Sequence, residues 1–413
     1  MTPEPAAAGS AAAGSAARPL SIAYLGDANS VHLRRWAGYF AGRGHRITLL
    51  VPDDQVLAPG LPPEIAIERF VPHTAHRFRR LGMLDTRRSV RGALARVDPD
   101  VLHAHHLTVN GMRAWMSGFH PYAVTVWGSD VLVTARKSLR ARLFARLSLR
   151  SADCVTGISR HLVKAAVAAG ARPERSHAIH FGIDTALFAP GPDPTALRAR
   201  LGLNGRRVLF SPRTIAPLYR QSTVVDALAM LPPDVALVMT RHNADAAELA
   251  AVEARIVEKG LAGRVVIVPS VPYSEMRDHY RLADAVVSVP ESDAGPITLV
   301  EALAVGRPAV CSDLPPVREW LDDLDPAAIV PVGDVAATAR AVERLLAQSP
   351  AERADFAARG RRAVEERADQ ERCMAEVEGL YRDLAAGRTS AASGAHAARR
   401  GGRGDRTGPG DAR

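Results

Sequence analysis

Residues 284–313 read DAVVSVPESDAGPITLVEALAVGRPAVCSD, and two periodicities meet there at a Gly-Pro step. DAVVSVPES is a short β-branched run, GPITLVEALAVG spaces its apolar residues as a helix does, and PAVCSD opens a second short apolar run. Pro296 in the first helical turn and Gly306 just past the last follow the usual asymmetry of helix boundaries. Strand, helix and strand in so short a space make a βαβ unit, which sets its two strands parallel. A helix meant only for packing needs no acids, yet Glu291 and Asp293 precede this one and Glu301 lies inside it. Its N-terminus, with free N–H groups and the positive end of the dipole, suits an anion such as phosphate.

The same alternation runs through the rest of the chain. Strands are expected in 21–27, 45–51, 64–70, 101–106, 122–130, 153–159 and 176–184, then in 206–213, 235–242, 264–270, 284–292, 308–313 and 328–332. Between the two sets lies the Pro- and Gly-rich FAPGPDPTALRARLGLNGRR (188–207), where a boundary near residue 190 is natural. The pattern predicts an α/β protein: a flexible tail over 1–18, a Rossmann-like domain over 19–189, a second over 190–386 and a disordered basic tail over 387–413. In doubly wound sheets ligands bind beyond the carboxyl ends of the strands, so the residues just after each strand are the candidates.

Composition removes several classes of function. The 413 residues are long enough for two domains, and no apolar run reaches the roughly 20 residues of a membrane span. The N-terminus lacks a basic segment followed by an apolar core, so a signal peptide is not expected. Three widely spaced cysteines, Cys154, Cys311 and Cys373, suggest reduced thiols and a cytoplasmic setting. The formal charge of +9 is unevenly distributed. Residues 19–189 carry 23 basic against 12 acidic side chains, and residues 190–386 carry 23 against 29. A basic half facing an anionic surface or acceptor explains that asymmetry better than general nucleic-acid binding, for which aromatics are few and no module is present. GxxxxGK[ST], GxGxxG after the first strand, HExxH, CxxC and GxSxG are all absent.

Residues 293–308 resemble the donor-binding signature of the retaining GT-B glycosyltransferases of family 4, in which an acid and a Glu eight residues further on precede AL/MA-x-G-x-P. Here these are Asp293, Glu301, Ala302-Leu303-Ala304, Gly306 and Pro308. SDAGP (292–296) is close to the SDGTP version of one subset, and SDLPPVREW (312–320) is similar to that subset's continuation. DANSVHLRRWAGYFAGRGHRITLLV (27–51), DPDVLHAHH (98–106), SRHLV (159–163) and HFGIDTALFAP (180–190) resemble further segments of the family in the right order.

The resemblance implies a GT-B fold whose C-terminal helix packs back toward the N-terminal domain. It implies transfer of a sugar, with retention, from a nucleoside-diphosphate sugar to a saccharide or lipid-linked acceptor in polysaccharide or glycoconjugate synthesis, with no metal or other cofactor. By that resemblance Glu301 would bind the nucleotide ribose and Asp293 the donor sugar. The backbone at Gly295, Pro296 and Ile297 would meet the sugar or diphosphate, and Arg213 in LFSPR would stabilise the departing phosphate. The family's Lys shortly after that Arg is missing from RTIAPLYRQS (213–222), and Arg220 beside the place is the candidate to replace it on the donor's phosphates. Gly26-Asp27 stands where the family often has Gly-Gly and would let the backbone approach the donor, and His105 matches a histidine near the transferred sugar. Trp127 and Asp130, in WGSD, fall on a turn that could meet the acceptor.

Alternatives stay open at this point: a nucleotide-sugar epimerase of the same fold, or a non-catalytic homologue acting as a partner subunit, motivated by the missing Lys and by Asp27. HAHH (103–106) as a zinc site lacks a third ligand. RKSLRARLFARLSLR (136–150) puts Leu139, Leu143 and Leu147 on one helical stripe beside Arg142, Arg146 and Arg150. Such a helix either packs its leucines inward or rests on anionic lipid, which would make the protein peripheral at the inner face of the cytoplasmic membrane.

Overall fold

In the computed structural model, residues 18–72 and 79–401 are described. Thirteen strands occur among them, each inside one of the thirteen expected segments to within a residue or two. The first seven are β1 (Ser21–Leu25), β2 (Arg46–Pro52), β3 (Ala66–Phe70), β4 (Val101–His105), β5 (Tyr122–Val126), β6 (Cys154–Gly157) and β7 (Ser176–Ala178). They form one sheet in the order β3-β2-β1-β4-β5-β6-β7. The remaining six are β8 (Arg207–Ser211), β9 (Val235–Thr240), β10 (Val265–Val268), β11 (Ala285–Ser288), β12 (Ala309–Ser312) and β13 (Ile329–Val330). Their order is β10-β9-β8-β11-β12-β13, and the paired strands run parallel, β8 beside both β9 and β11.

Burial explains why these runs became strands of parallel sheets. All six residues of β9, VALVMT, are buried, the continuous apolar run of a strand covered on both faces. In β8 the pleat divides the side chains: Val208 and Phe210 join the core on one face, Leu209 the core on the other. Helix α11 (Ile297–Ala304) supplies Leu299, Val300, Ala302, Leu303 and Ala304 to the first of these cores. It closes with a Schellman motif: Gly306, at φ +79°, donates to Leu303 O, and Arg307 donates to Ala302 O. Pro296 lies one position earlier than expected, as the N-cap rather than inside the first turn.

The strand order in each sheet reverses once, at β1/β4 and at β8/β11. Ligand sites of open parallel sheets form at such points, beyond the carboxyl ends of the strands. The candidates Gly26-Asp27, Arg213 and Asp293 follow β1, β8 and β11, and His105 is the last residue of β4.

The described chain divides into two compact units. One holds the residues up to His103, with Met116–Pro121 and the chain from Ala385; the other holds Ala104–Trp115 and Tyr122–Leu384. Helix α15 (Gln370–Gly401) begins in the second unit, and its residues from Ala385 onward belong to the first. There Arg388 pairs with Asp98 at 2.8 Å, donates to the carbonyl of Pro99 and lies over the Phe119 ring. The helix therefore continues well past residue 387, where the composition suggested a disordered tail. An Ala-rich run has the highest helix propensity, and the preceding turns are already nucleated by packing of Met374, Val377 and Tyr381. The rest of the two expected tails, 1–17 and 402–413, lies outside the described residues, as do residues 73–78, just before helix α2 (Arg79–Val97).

Candidate active site

The site is assembled by two loops of the second sheet that face each other across its switch point. After β8 the chain makes a 3-10 turn, Pro217–Tyr219, and Arg220 then takes the left-handed conformation at φ +47° before helix α8 (Gln221–Met230). Following β11 comes the loop from Pro290 to Pro296. The backbone N–H of Glu291 donates to Leu218 O, and two ion pairs add to that link. Arg213 lies 3.1 Å from Asp293, and Arg220 lies 3.1 Å from Glu291. The inner pair is largely buried and the outer one is exposed, so Arg213–Asp293 is the stronger electrostatic element.

Arg213 is fixed on three sides. Its guanidinium lies 4.3 Å from the centre of the Tyr219 ring, and its carbonyl accepts the side-chain amide of Gln221, itself held by Ser211 Oγ. Tyr219, one residue before Arg220, is thus the group that the turn presents to Arg213. Asp293 accepts the N–H of Gly295. Burial raises its carboxyl above the usual range, against the opposing pull of Arg213 and the Gly295 and Ala294 amides. Burial also pushes the nearby Cys311 thiol up to about 12, which keeps it protonated and unsuited to nucleophilic work.

Glu301 is only 7% exposed. The hydroxyl of Tyr280, on helix α10 (Tyr273–Leu282), donates to its Oε2 at 2.6 Å. Burial and then the Glu301 charge hold the tyrosine well above its ordinary range, so it remains a donor. A carboxylate locked on one oxygen by a rigid phenol is oriented rather than solvated.

Gly295 is the one residue that fits its place: a Cβ there would lie 2.4 Å from Ile158 Cδ1. Gly128, at φ +117°, is pressed equally closely on Ala294, and Ser159 Oγ donates to Ala294 O at 2.9 Å. These contacts bring the loops after β5 and β6 against the start of α11. Nearby, Glu319 accepts the N–H groups of Arg160 and His161 at the N-terminus of helix α6 (Arg160–Ala169), a cap that is 158 residues away in sequence.

Asp130 is fully buried, which corrects its assignment as an acceptor contact. Its carboxylate accepts backbone N–H groups from Trp127, Gly128, Val131 and Leu107 at 2.8–3.2 Å. It therefore ties the turn after β5 to the single π-helical turn (Leu107–Gly111) after β4. His105 ends β4, buried, its ring 5.8 Å from that of Trp127. Of the four non-glycine residues with positive φ among those described, His106 and Arg220 lie on the loops of the site. His103 is turned inward between Tyr24 and Trp36, and among the described residues no group of three His, Cys, Asp or Glu side chains could hold a metal.

In the other unit, Gly26 is buried at the end of β1 and Asp27 is exposed. The Asp27 carboxylate accepts Asn29 N–H and the Gln55 amide, so it orders its own loop. Glu291 was marked in the sequence only as an acid beside the site helix, and Tyr280, Tyr219 and Glu319 carried no signal there. Tyr280 lies 21 residues from its partner and Glu319 lies 158, distances at which no periodicity connects residues.

Two parallel doubly wound sheets, with a helix starting at the switch point of the second, define an α/β protein with a ligand site of the open-sheet kind. Comparison with known proteins narrows this. Residues 21–159 match the family model described as Glycosyl transferase 4-like, and residues 194–363 match Glycosyl transferases group 1. The chain is a GT-B glycosyltransferase of these families, and a transferase of nucleotide sugars. It is 26% identical to a D-inositol 3-phosphate glycosyltransferase of Acidothermus cellulolyticus, over 91% of this chain and 90% of that one. It is 30% identical to a GDP-mannose-dependent alpha-(1-6)-phosphatidylinositol monomannoside mannosyltransferase of Mycolicibacterium smegmatis, over 57% and 62%. In fold it resembles Anabaena HepE in complex with UDP and glucose, with a TM-score of 0.72 and 19% identity over 88% of this chain and 100% of that one. A sucrose-phosphate synthase from Thermosynechococcus elongatus gives a TM-score of 0.73 and 18% identity over 89% and 99%.

Proposed function

We propose that the protein transfers a hexosyl group from a nucleoside-diphosphate sugar, with retention of configuration, to a hydroxyl of a saccharide, cyclitol or lipid-linked acceptor. The observation that carries this reading is the buried, Tyr280-oriented carboxylate of Glu301 on the same helix whose start adjoins the Arg213–Asp293 pair. Glu301 accepts the two vicinal hydroxyls of the ribose. The start of α11 and Arg213 hold the diphosphate, and Asp293 turns from Arg213 to the donor sugar's hydroxyls. As the glycosidic bond breaks, charge grows on the leaving phosphate oxygen and Arg213 stabilises it. The acceptor hydroxyl attacks from the same face and passes its proton to that oxygen, which is how configuration is kept. No metal is invoked.

A thermal-shift panel of UDP-, GDP-, ADP- and TDP-sugars tests the reading, because a ligand that binds the native state raises its melting temperature. A shift confined to one base supports it, and no shift with any of the four overturns it. Glu301→Ala is expected to weaken binding of the active nucleotide by about 1.5–3 kcal/mol, the range for a hydrogen bond to a charged group. Titration calorimetry checks this, and an unchanged affinity would remove the ribose assignment.

A lipid-linked acceptor is favoured by helix α5 (Leu139–Ser151). Leu139 and Leu143 are 80% and 55% exposed, whereas the helix buries Ala145, Ser148 and Leu149. The inward-packing alternative for the leucine stripe is thus excluded for these two residues. Arg140, Arg142 and Arg146 flank them, the chemistry of a helix lying on anionic lipid. No described helix is long and apolar enough to cross a membrane. At low salt the protein is expected to float with anionic vesicles and not with neutral ones, and Leu139→Asp/Leu143→Asp to abolish flotation. Equal recovery with both vesicle types, or none, would contradict this.

A further inference from the structure

We propose that a polar cleft beside the start of helix α6 is an effector site for a hydroxylated phosphate monoester, separate from the donor site and coupled to it. The cleft has a volume of about 240 Å³. It opens among the ends of β6 and β7, helices α12 (Pro315–Leu321) and α14 (Pro350–Arg367), and the first two turns of α15. None of Arg213, Asp293 and Glu301 is among its walls.

The chemistry of those walls points to an anion. Arg160, Arg367 and Arg372 line the cleft, and among the described residues no carboxylate lies within ion-pair distance of any of the three guanidinium groups. Arg367 is held still, 4.0 Å from the centre of the Trp320 ring and donating to Glu319 O at 2.6 Å. Burial and then the neighbouring Arg160 charge lower its guanidinium below the usual range, while Glu319, Asp323 and Glu366 oppose. His180, a further wall, is 6% exposed. Its Nδ1 accepts the N–H of Gly182, so the uncharged ring carries its proton on Nε2, which is buried without a hydrogen-bond partner. A buried donor left without an acceptor is destabilising, and a phosphate oxygen supplies one.

The acids of the cleft do not fill this role. Glu319 commits both carboxylate oxygens to the N–H groups of Arg160 and His161, and so already caps α6. Glu366 and Glu376 are exposed walls, placed to accept hydroxyl groups, so a polyol monoester suits the cleft better than a bare dianion. Two walls are shared with the donor loop. Ile158 lies against Gly295, and Ser159, which precedes Arg160, donates to Ala294 O. An anion that fixes Arg160 therefore restrains the backbone that holds the start of α11. The coupling rests on the donor reading above; the site itself does not.

Thermal-shift titration of the full chain at constant ionic strength tests the site with inorganic phosphate and glycerol 3-phosphate, against chloride as the reference. Both probes are expected to raise the melting temperature, glycerol 3-phosphate with the higher affinity. Arg160→Ala and Arg372→Ala, both at exposed residues, should each weaken glycerol 3-phosphate about tenfold, the loss of one charged hydrogen bond. Arg213→Ala should leave it within about twofold. No shift with either probe, full affinity in both cleft variants, or loss of binding in Arg213→Ala overturns the site, and tighter binding of inorganic phosphate overturns the monoester. With glycerol 3-phosphate saturating, the nucleoside diphosphate that the protein binds is expected to gain about fivefold in affinity, and to gain nothing in Arg160→Ala. Unchanged nucleotide affinity overturns the effector role. Absence of any nucleotide-dependent shift overturns the transferase reading, while the phosphate titration still decides the site.

Discussion

Replacing Arg213 with alanine is expected to lower turnover by about 10²–10³, the loss seen when one preorganised donor to a developing anion is removed. The guanidinium is already in place before any donor arrives, packed on Tyr219 and paired with Asp293, so little reorganisation is needed when phosphate charge develops. Arg213→Lys should recover only part of the rate. A lysine keeps the charge but loses the planar fork and the stacking on Tyr219. The loss should appear mainly in the rate of sugar release or transfer at saturating donor, and less in nucleotide affinity, because the charge it meets is largest in the transition state. Asp293→Asn separates the two partners. It frees Arg213 from its ion pair and tests whether the acid serves the sugar or only restrains the arginine. Release of free sugar from the donor measures both variants, and an Arg213→Ala rate within tenfold of the unmodified protein would count against the role.

Acidification is expected to destabilise the protein steeply between about pH 6.5 and 4.5. Two histidines are buried uncharged. Burial lowers His103 to about 3, and burial, helped by Arg367, lowers His180 to about 4. Both are protonated below about 6.5 in the unfolded chain, so unfolding takes up protons in this window. The stability they carry is complete above that pH and is lost as pH falls toward their folded values, at roughly 1.4 kcal/mol per pH unit for each. The total approaches 5 kcal/mol near pH 4.5, comparable with the whole stability of many domains. Asp293 opposes this, because a raised carboxyl pKa makes protonation stabilising, but burial lowers His32 and His279 as well, in the same direction as His103 and His180. The urea midpoint followed from pH 7.5 to 4.5 checks the slope. His180→Gln, which keeps an acceptor for Gly182 N–H, should remove about half of it, and an unchanged slope would show that the imidazole is not the source.

His180 and His103 also show what the sequence conceals. In sequence His103 belongs to HAHH, and it invites a metal or catalytic reading. Its ring is instead enclosed by Tyr24 and Trp36, brought to it by the pairing of sheet and helix. Asp130 was expected to meet the acceptor from the WGSD turn; three backbone donors of that same turn converge on it instead, and Leu107 joins them because β4 and β5 are neighbours. For Arg220, adjacency to the missing lysine suggested a phosphate contact, yet the left-handed backbone at that residue aims it at Glu291 and leaves Tyr219 against Arg213.

The sequence by itself determined the strands, the two parallel sheets and the helix that begins at Gly295-Pro296, because each of these follows from local periodicity, proline and glycine within a few residues. The family resemblance carried by its motifs also marked Arg213, Asp293 and Glu301 as candidates. Only the tertiary structure decided how those residues are held: Glu301 by Tyr280, Arg213 by Asp293 and Tyr219, and the start of α11 by Gly128, Ile158 and Ser159. Such contacts join residues tens to hundreds of positions apart. Their energies come from burial and geometry that exist only once the sheets have assembled, so no pattern along the chain records them.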